Sequence, residues 1–326
     1  MRAALYRRRG AAAEVLSVED IPTPAPGPGE VRVSIHASGV NPTDWKARKG
    51  AGVSAEPLAT FQVPHHDGAG VIDAVGPGVS SERVGERVWV HLAAFQNQFG
   101  TAAEYAVLPA VRTRKLPAAA SFELGACLGV PAVTAAHCLG NRPEGLRGQT
   151  VLVSGGAGAV GHYAIELAHR AGARVAATVS SEAKAQLARE AGADVVVNYH
   201  EPDSVKKLQV FSTSMGRIVE VALGANLEQD LAVAGPRTII SVYATESQGD
   251  PVLPTGRLMA LNAMLHYVLL YGVSEVELAD SVNWVQSALE AGALTPLPLH
   301  RYSLEDVARA HDAVEEQAVG KVLVLP

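Results

Sequence analysis

Three glycines at fixed spacing carry the most legible chemistry of this chain. Gly156, Gly158 and Gly161 stand in TVLVSGGAGAVGHYAIELAHRAG, Thr150 to Gly172, where an apolar run leads into G-x-G-x-x-G and then into a helical pattern. Glycine at these places lets the chain turn tightly, brings backbone N–H groups up to a pyrophosphate, and packs a helix close to a strand. The following helix N-terminus then faces the phosphates. Ala157, Ala159 and Val160 complete the loop. The chemistry is the binding of a dinucleotide.

The choice of dinucleotide is read at the end of the next apolar run, RVAATV. A site for NAD usually offers an acidic side chain about 20 residues after the fingerprint. Here the sequence is Thr178-Val179-Ser180-Ser181, with Lys184 following. Two hydroxyls and a cation suit a 2′-phosphate, which favours NADPH over NADH. Ser181 also reads as the cap of the helix EAKAQLAREAG, and Lys184 as a solvated residue on it; capping and phosphate binding are compatible.

The elements that must position this loop are visible around it. Val151, Leu152 and Val153 form a buried-strand run, and Ala164, Ile165, Leu167 and Ala168 recur at helical spacing before Ala171-Gly172 ends the pattern. From about Cys127, the runs TVLVS, RVAATV, DVVVNY, RIVEV and RTIISV alternate with helical stretches, as a doubly wound parallel sheet requires. Before that point the texture differs: EVRVSIHASGV, GAGVIDAVG, ERVWVHL and AEYAVLPAVRTRKL read as strands punctuated by Gly and Pro. The run PTPAPGPGE is a rigid turn between strand signals, too short to be a linker. Near the end come helices around DSVNWVQSALEAG and SLEDVARAHDAVEE, the latter with a capping-box-like Ser303 and Asp306, and the strand KVLVLP.

A chain of 326 residues exceeds one typical core, so two domains are expected. With 48% hydrophobic and 18% charged residues it is globular, and its net charge of −6 gives no electrostatic case for nucleic acid or an anionic membrane. No apolar run approaches the roughly 18 residues that span a bilayer, and the N-terminus reads as strand and turn, so a cytoplasmic protein is expected. Cys127 and Cys138 lie in an apolar segment and read as free buried thiols.

The segments SGVNPTDWKARKG (Ser38 to Gly50), HDGAGVIDAVGPGV (His66 to Val79), GERVW, AEYAVLP, GVPAVTAAHCL, SGGAGAVG and the closing SLEDVARAHDAVEEQAVGKVLVLP together resemble the medium-chain dehydrogenase/reductase superfamily, in its quinone oxidoreductase (zeta-crystallin-like) branch. The resemblance runs over nearly the whole chain. It implies an α/β protein in which a Rossmann doubly wound parallel sheet, residues 127–267, is inserted into a GroES-like β-rich catalytic domain, residues 1–126 and 268–326. It implies an active site in the cleft between them, and a homodimer.

The resemblance also makes zinc the branch point, since the alcohol dehydrogenases of this superfamily hold it with Cys and His. Where they place their first cysteine this chain has Asn41; the second cysteine position matches Val130, and only His66 remains. One histidine cannot hold a catalytic zinc, so no metal is expected. His65-His66 departs from the branch, which more often shows Gly and a small residue there; His66 stands with Asn41 and Lys46 among the catalytic candidates, with a polar-pocket or structural role as its other reading. The reaction then implied is hydride transfer from NADPH to a quinone or to the β-carbon of an α,β-unsaturated carbonyl.

Site residues follow from the same likeness. Asn41 can donate a hydrogen bond to the developing oxygen charge, or simply be a turn residue before Pro42. Trp45-Lys46 stands where related quinone reductases often carry Tyr; Lys46 can hold an enolate oxygen or be a solvated lysine, and Trp45 can wall the pocket. Thr134, Val242 and Tyr243 are implied near the nicotinamide, Tyr199 near the adenosine phosphate, and Gly320-Lys321 as part of the cofactor-binding ending. Ala159 replaces a usual glycine. A pathway-specific enoyl or enone reductase is an alternative, and an NADPH-binding structural or RNA-binding protein with little catalysis is another; the charge argues against RNA.

Overall fold

The computed structural model describes residues 1–51, 58, 60–245 and 251–326. They form two compact units, Met1–Val130 with Pro296–Pro326, and Pro131–Thr295. In chain order the first unit contains β1 (Arg2–Leu5), α1 (Ala12–Val15), β2 (Ser17–Asp20), β3 (Glu30–Val40), α2 (Pro42–Lys49), β4 (Asp67–Val75), β5 (Arg87–Val90), β6 (Tyr105–Pro109), β7 (Thr113–Lys115) and the first half of α3 (Phe122–Cys138). The second contains the rest of α3, then β8 (Thr150–Ser154), α4 (Ala159–Arg170), β9 (Arg174–Val179), α5 (Glu182–Glu190), β10 (Val195–Asn198), α6 (Ser204–Phe211), β11 (Met215–Glu220), α7 (Leu223–Val233), β12 (Ala234–Val242), α8 (Thr255–Leu261), β13 (Met264–Tyr267) and α9 (Glu275–Glu290). The chain returns to the first unit with β14 (Leu299–Ser303), α10 (Val307–Glu315) and β15 (Lys321–Leu325).

The first unit is β-rich, with strands in the order β14-β15-β3-β4-β5-β7 and β6 paired to β3. In β3 the inward residues Val31, Val33 and Ile35 are buried alternately, and Ser38, Gly39 and Val40 at its end are buried without alternation. That change of pattern marks where the strand leaves a half-wet face for the interior. Register then gathers residues distant in sequence: Gly39 lies opposite Asp67, and Val40 opposite Val322. Asn41, Asp67 and Lys321 therefore arrive at one place.

The second unit is a parallel sheet in the order β10-β9-β8-β11-β12-β13. Val151, Leu152 and Val153 of β8 are fully buried because helices cover both faces of such a sheet. The order reverses between β8 and β11, and the crevice outside the carboxyl ends at such a reversal is where α/β sheets bind ligands.

The return to the first unit comes at 296, not at 268, and the second unit begins at Pro131 rather than at 127. Side-chain contacts explain the later return: Asp280 on α9 pairs with Arg142 at 2.6 Å, and Ser281 donates to Asn141 at 3.1 Å, both partners lying in the second unit. No helix among the described residues is long and apolar enough to cross a membrane.

Candidate functional site

The second unit carries the glycine loop between β8 and α4. Gly155 has φ +70°, the left-handed region that favours glycine, and its amide and that of Gly156 reach Thr178 on β9. Sequence reasoning missed Gly155 because it lies outside the G-x-G-x-x-G frame; the doubled glycine after Ser154 was the available signal. A Cβ on Gly156 would sit 2.8 Å from that of Ala177, and one on Gly161 would meet the Gly155 carbonyl oxygen at 2.3 Å. Gly158 is the N-cap of α4 and Ala159 opens the helix, so its extra methyl meets no left-handed backbone. Ala157 is buried and Val160 half-buried. A cradle this tight to its own backbone fits a dinucleotide pyrophosphate.

At the next strand end, Ser181 caps α5, accepting from the Lys184 amide, while Lys184 Nζ donates to Ser180 Oγ at 2.9 Å. Tyr199 follows β10, whose Asn198 lies opposite Val179, and the Tyr199 amide donates to the Val179 carbonyl at 3.0 Å. Ser180, Ser181, Lys184 and Tyr199 thus belong to two adjacent strand ends. Val242 ends β12, and the Tyr243 amide donates to the Glu220 carbonyl. Thr134 lies on α3, buried.

The first unit holds a buried polar network at the position singled out for Asn41. Asn41 caps α2 with Pro42 as its first helical residue, and its amide donates to Asp44 Oδ2 at 2.7 Å. Its side chain is engaged on two sides: Nδ2 donates to Asp67 Oδ2 at 2.7 Å, and Oδ1 accepts from Lys321 Nζ at 2.5 Å. The other Asp67 oxygen accepts the Val130 amide at 2.7 Å, and Lys321 Nζ lies 3.7 Å from Asp67 Oδ2. Gly129 makes room for this, since a Cβ there would be 2.2 Å from Asp67 Oδ1. The structure therefore brings Lys321 to Asn41 and Asp67, buried at 3% exposure. Asp44 and Asp67 were missed: an aspartate in a helix-start motif and another at the head of an apolar strand look locally ordinary.

Burial pushes the Asp44 carboxyl up to about 8, the Asn41 amide opposing and the Asp67 charge adding to it. Burial also raises Asp67, against the lowering effect of Lys321 and Asn41. At neutral pH Asp44 is therefore protonated.

His66 is buried and its imidazole is pushed down to about 3 by burial and by the Arg112 charge, so it is neutral at neutral pH. His65, at φ +78°, has a separate role. Arg48 Nε donates to His311 Nδ1 at 3.4 Å, which leaves His311 Nε2 to donate to His65 Nε2 at 3.0 Å. His65 Nδ1 then donates to Ser38 Oγ at 2.8 Å, Ser38 to Thr101 Oγ1 at 2.7 Å, and Thr101 to the Asp67 carbonyl at 2.5 Å. Each donor has one acceptor, so the chain fixes both tautomers and buttresses the backbone of Asp67. Lys46 is half-buried, its ammonium 5.8 Å from the Trp45 ring centroid.

The set of residues does not fit a zinc ion. Asn41 and Val130 occupy the places where the zinc enzymes were expected to supply cysteines, and both are committed to Asp67. Cys127 donates to the Glu123 carbonyl and its thiol is pushed up to about 12 by burial, far from the thiolate a metal needs. Among the described residues no group of three or more His, Cys, Asp or Glu could hold a metal.

Comparison with known proteins agrees with this architecture. Residues 27–118 match the alcohol dehydrogenase GroES-like domain, and residues 159–287 match the zinc-binding dehydrogenase family. The chain is 31% identical to the quinone oxidoreductase of Rattus norvegicus over 96% of its own length and 94% of that protein's. It superposes on the crystal structure of Escherichia coli quinone oxidoreductase complexed with NADPH with a TM-score of 0.83 at 25% identity, covering 100% of both chains. An NAD-dependent alcohol dehydrogenase structure gives a TM-score of 0.87 at 29% identity, again over 100% of both chains.

Proposed function

Since the chain belongs to the medium-chain dehydrogenase/reductase superfamily, among its quinone oxidoreductase-like members, we propose that it is a zinc-independent, NADPH-dependent oxidoreductase acting on a quinone or an α,β-unsaturated carbonyl. The observation that carries the reading is the Lys321–Asn41–Asp67 network, side chains committed to one another by hydrogen bonds where a zinc dehydrogenase would need cysteine ligands.

Bound NADPH supplies a hydride from its nicotinamide ring. The loop Gly156, Ala157, Gly158, Ala159, Val160 and Gly161 would hold the pyrophosphate with backbone N–H groups, and Ser180, Ser181, Lys184 and Tyr199 would take the 2′-phosphate end. Thr134 and the backbone at Val242 and Tyr243 would hold the nicotinamide end. Asn41 has one Nδ2 hydrogen beyond the one given to Asp67, and it stabilises the oxygen charge of the acceptor. Lys321, expected among the cofactor ligands, acts instead through Asn41: an ammonium on Oδ1 polarises the amide and strengthens its remaining donor. His66, neutral and buried, shapes the pocket rather than releasing a proton.

Trp45 and Lys46 support the narrower reading of an enoyl or enone reductase serving a biosynthetic pathway, because an ammonium held against an aromatic face suits an enolate oxygen. A homodimer belongs to the same reading. The edge strand β13 exposes Met264 and Tyr267, with Leu269 just beyond it, an apolar edge that a second copy would cover.

The test is steady-state oxidation of NADPH and NADH against quinones and α,β-unsaturated ketones, with and without a chelator. The expected result is NADPH oxidation that a chelator leaves unchanged. Failure to bind either dinucleotide, or loss of activity on chelation, would overturn the reading.

A further inference from the structure

One buried carboxyl group has no assigned work. Asp230, on α7, is 0% exposed, and neither of its oxygens accepts a hydrogen bond from any donor among the described residues. Asn226, four residues before it on the same face of α7, donates to Glu220, which brings Asp230 to Glu220, the last residue of β11, also 0% exposed. Glu220 already accepts from three donors and has room for a fourth: Oε2 accepts from Ser154 Oγ at 2.6 Å, and Oε1 accepts from Asn226 Nδ2 at 2.9 Å and from the Ala222 amide.

Both Glu220 oxygens therefore serve as acceptors. A bare carboxylate beside them, desolvated and without a donor, would be a heavy cost. The arrangement closes if Asp230 keeps a proton and gives it to Glu220 as a hydrogen bond. Burial, reinforced by the Glu220 charge, holds the Asp230 carboxyl well above the usual carboxylate range, in agreement with that geometry.

The location gives the pair a purpose. Ser154 is the last residue of β8, immediately before Gly155, and β8 and β11 are the two strands at which the sheet order reverses. A Cβ on Gly155 would lie 3.3 Å from Val221, the residue next to Glu220. The Glu220 carbonyl also accepts the Tyr243 amide at 3.1 Å, where β12 ends. One side chain and its backbone thus tie together the carboxyl ends of three parallel strands under the glycine loop.

We propose that Asp230 is a positioning residue for the dinucleotide: it holds a proton, donates it to Glu220, and so locks the brace that sets the glycine loop against the ends of β8, β11 and β12. The proposal rests on the cofactor reading above, and its test separates the two.

Asp230→Asn keeps a donor for Glu220, whereas Asp230→Leu fills similar space and offers none. Asn should bind NADPH close to wild type. Leu should bind it about tenfold or more weakly, as loss of one hydrogen bond to a charged group implies, in a fluorescence titration at neutral pH. An infrared difference spectrum of wild type minus Asp230→Asn should contain the C=O band of a protonated carboxyl. Unchanged NADPH affinity in the Leu variant, or absence of that band, would overturn the proposal. If wild type binds no NADPH the cofactor reading falls, and the positioning role falls with it, while the infrared band still decides whether Asp230 holds the proton.

Discussion

Replacing Lys321 by Met removes the ammonium that touches the Asn41–Asp67 pair, and its consequence can be sized from the geometry. Lys321 is 3% exposed and its Nζ lies 3.7 Å from Asp67 Oδ2. At that distance and an effective dielectric of about 20, Coulomb's law gives roughly 4 kcal/mol. The same order is known for removing one partner of a buried ion pair, about 3–5 kcal/mol. Asp67 keeps the Asn41 and Val130 donors, so the loss is bounded and protonation of Asp67 relieves it further. Asp67→Asn alone should likewise destabilise, because it strands the buried ammonium. The double variant Lys321→Met with Asp67→Asn should recover much of the loss, giving a coupling energy of about 2–4 kcal/mol in urea unfolding at pH 7. A coupling below about 0.5 kcal/mol, the level at which independent sites add, would refute the claim that the two groups act as one unit.

The remaining expectations concern the cofactor loop and pH. Gly161→Ala puts a methyl 2.3 Å from the Gly155 carbonyl oxygen, so the loop must move; overpacking of about 1–3 kcal/mol should lower NADPH affinity about 5- to 150-fold, read by fluorescence titration. Lys184→Ala should weaken NADPH by about tenfold while leaving NADH nearly unchanged, since only NADPH carries the 2′-phosphate. For Asp44, whose carboxyl is pushed up to about 8, the folded chain keeps a proton that the unfolded chain releases above its ordinary value near 3.8. The stabilisation is complete below that ordinary value and is lost as pH rises toward 8, at a slope of about 1.4 kcal/mol per pH unit for one proton. The buried histidines His66, His91 and His311, pushed down to about 3, act oppositely, their stabilisation present above pH 6.5 and lost below it. Between pH 6.5 and 8 Asp44 therefore dominates among them: wild type should lose stability in denaturation curves across that window, and Asp44→Asn should be flatter there.

What the sequence made legible was what lies close together along the chain. The strand, glycines and helix from Thr150 to Gly172 are contiguous, so spacing alone revealed them, and the Ser180–Lys184 cluster sits within one helical turn. The polar network was not legible in this way, because Asn41 meets Asp67 across 26 residues and Lys321 across 280. Only strand register brings them together, and register is not written in local patterning. The segment around DSVNWVQSALEAG was recognised as a helix, now α9, yet its pattern says that it has an apolar face and not which core receives it; the contacts of Asp280 and Ser281 decide that. At SLEDVARAHDAVEE the Ser303–Asp306 signal marks a single 3₁₀ turn, with α10 beginning at Val307. Carboxyls such as Asp230 are invisible for a plainer reason: on a helix an aspartate is ordinarily a solvated residue, and only burial shows otherwise.

In the proposed reaction, hydride passes directly from NADPH to an activated carbon. Turnover of an α,β-unsaturated ketone with NADPH deuterated at nicotinamide C4 tests it most directly, with the product analysed by mass spectrometry and NMR. The expected product carries one deuterium at the β-carbon of the saturated ketone, in the presence of a chelator. A product lacking deuterium at that carbon, or one formed only when metal is supplied, would contradict it.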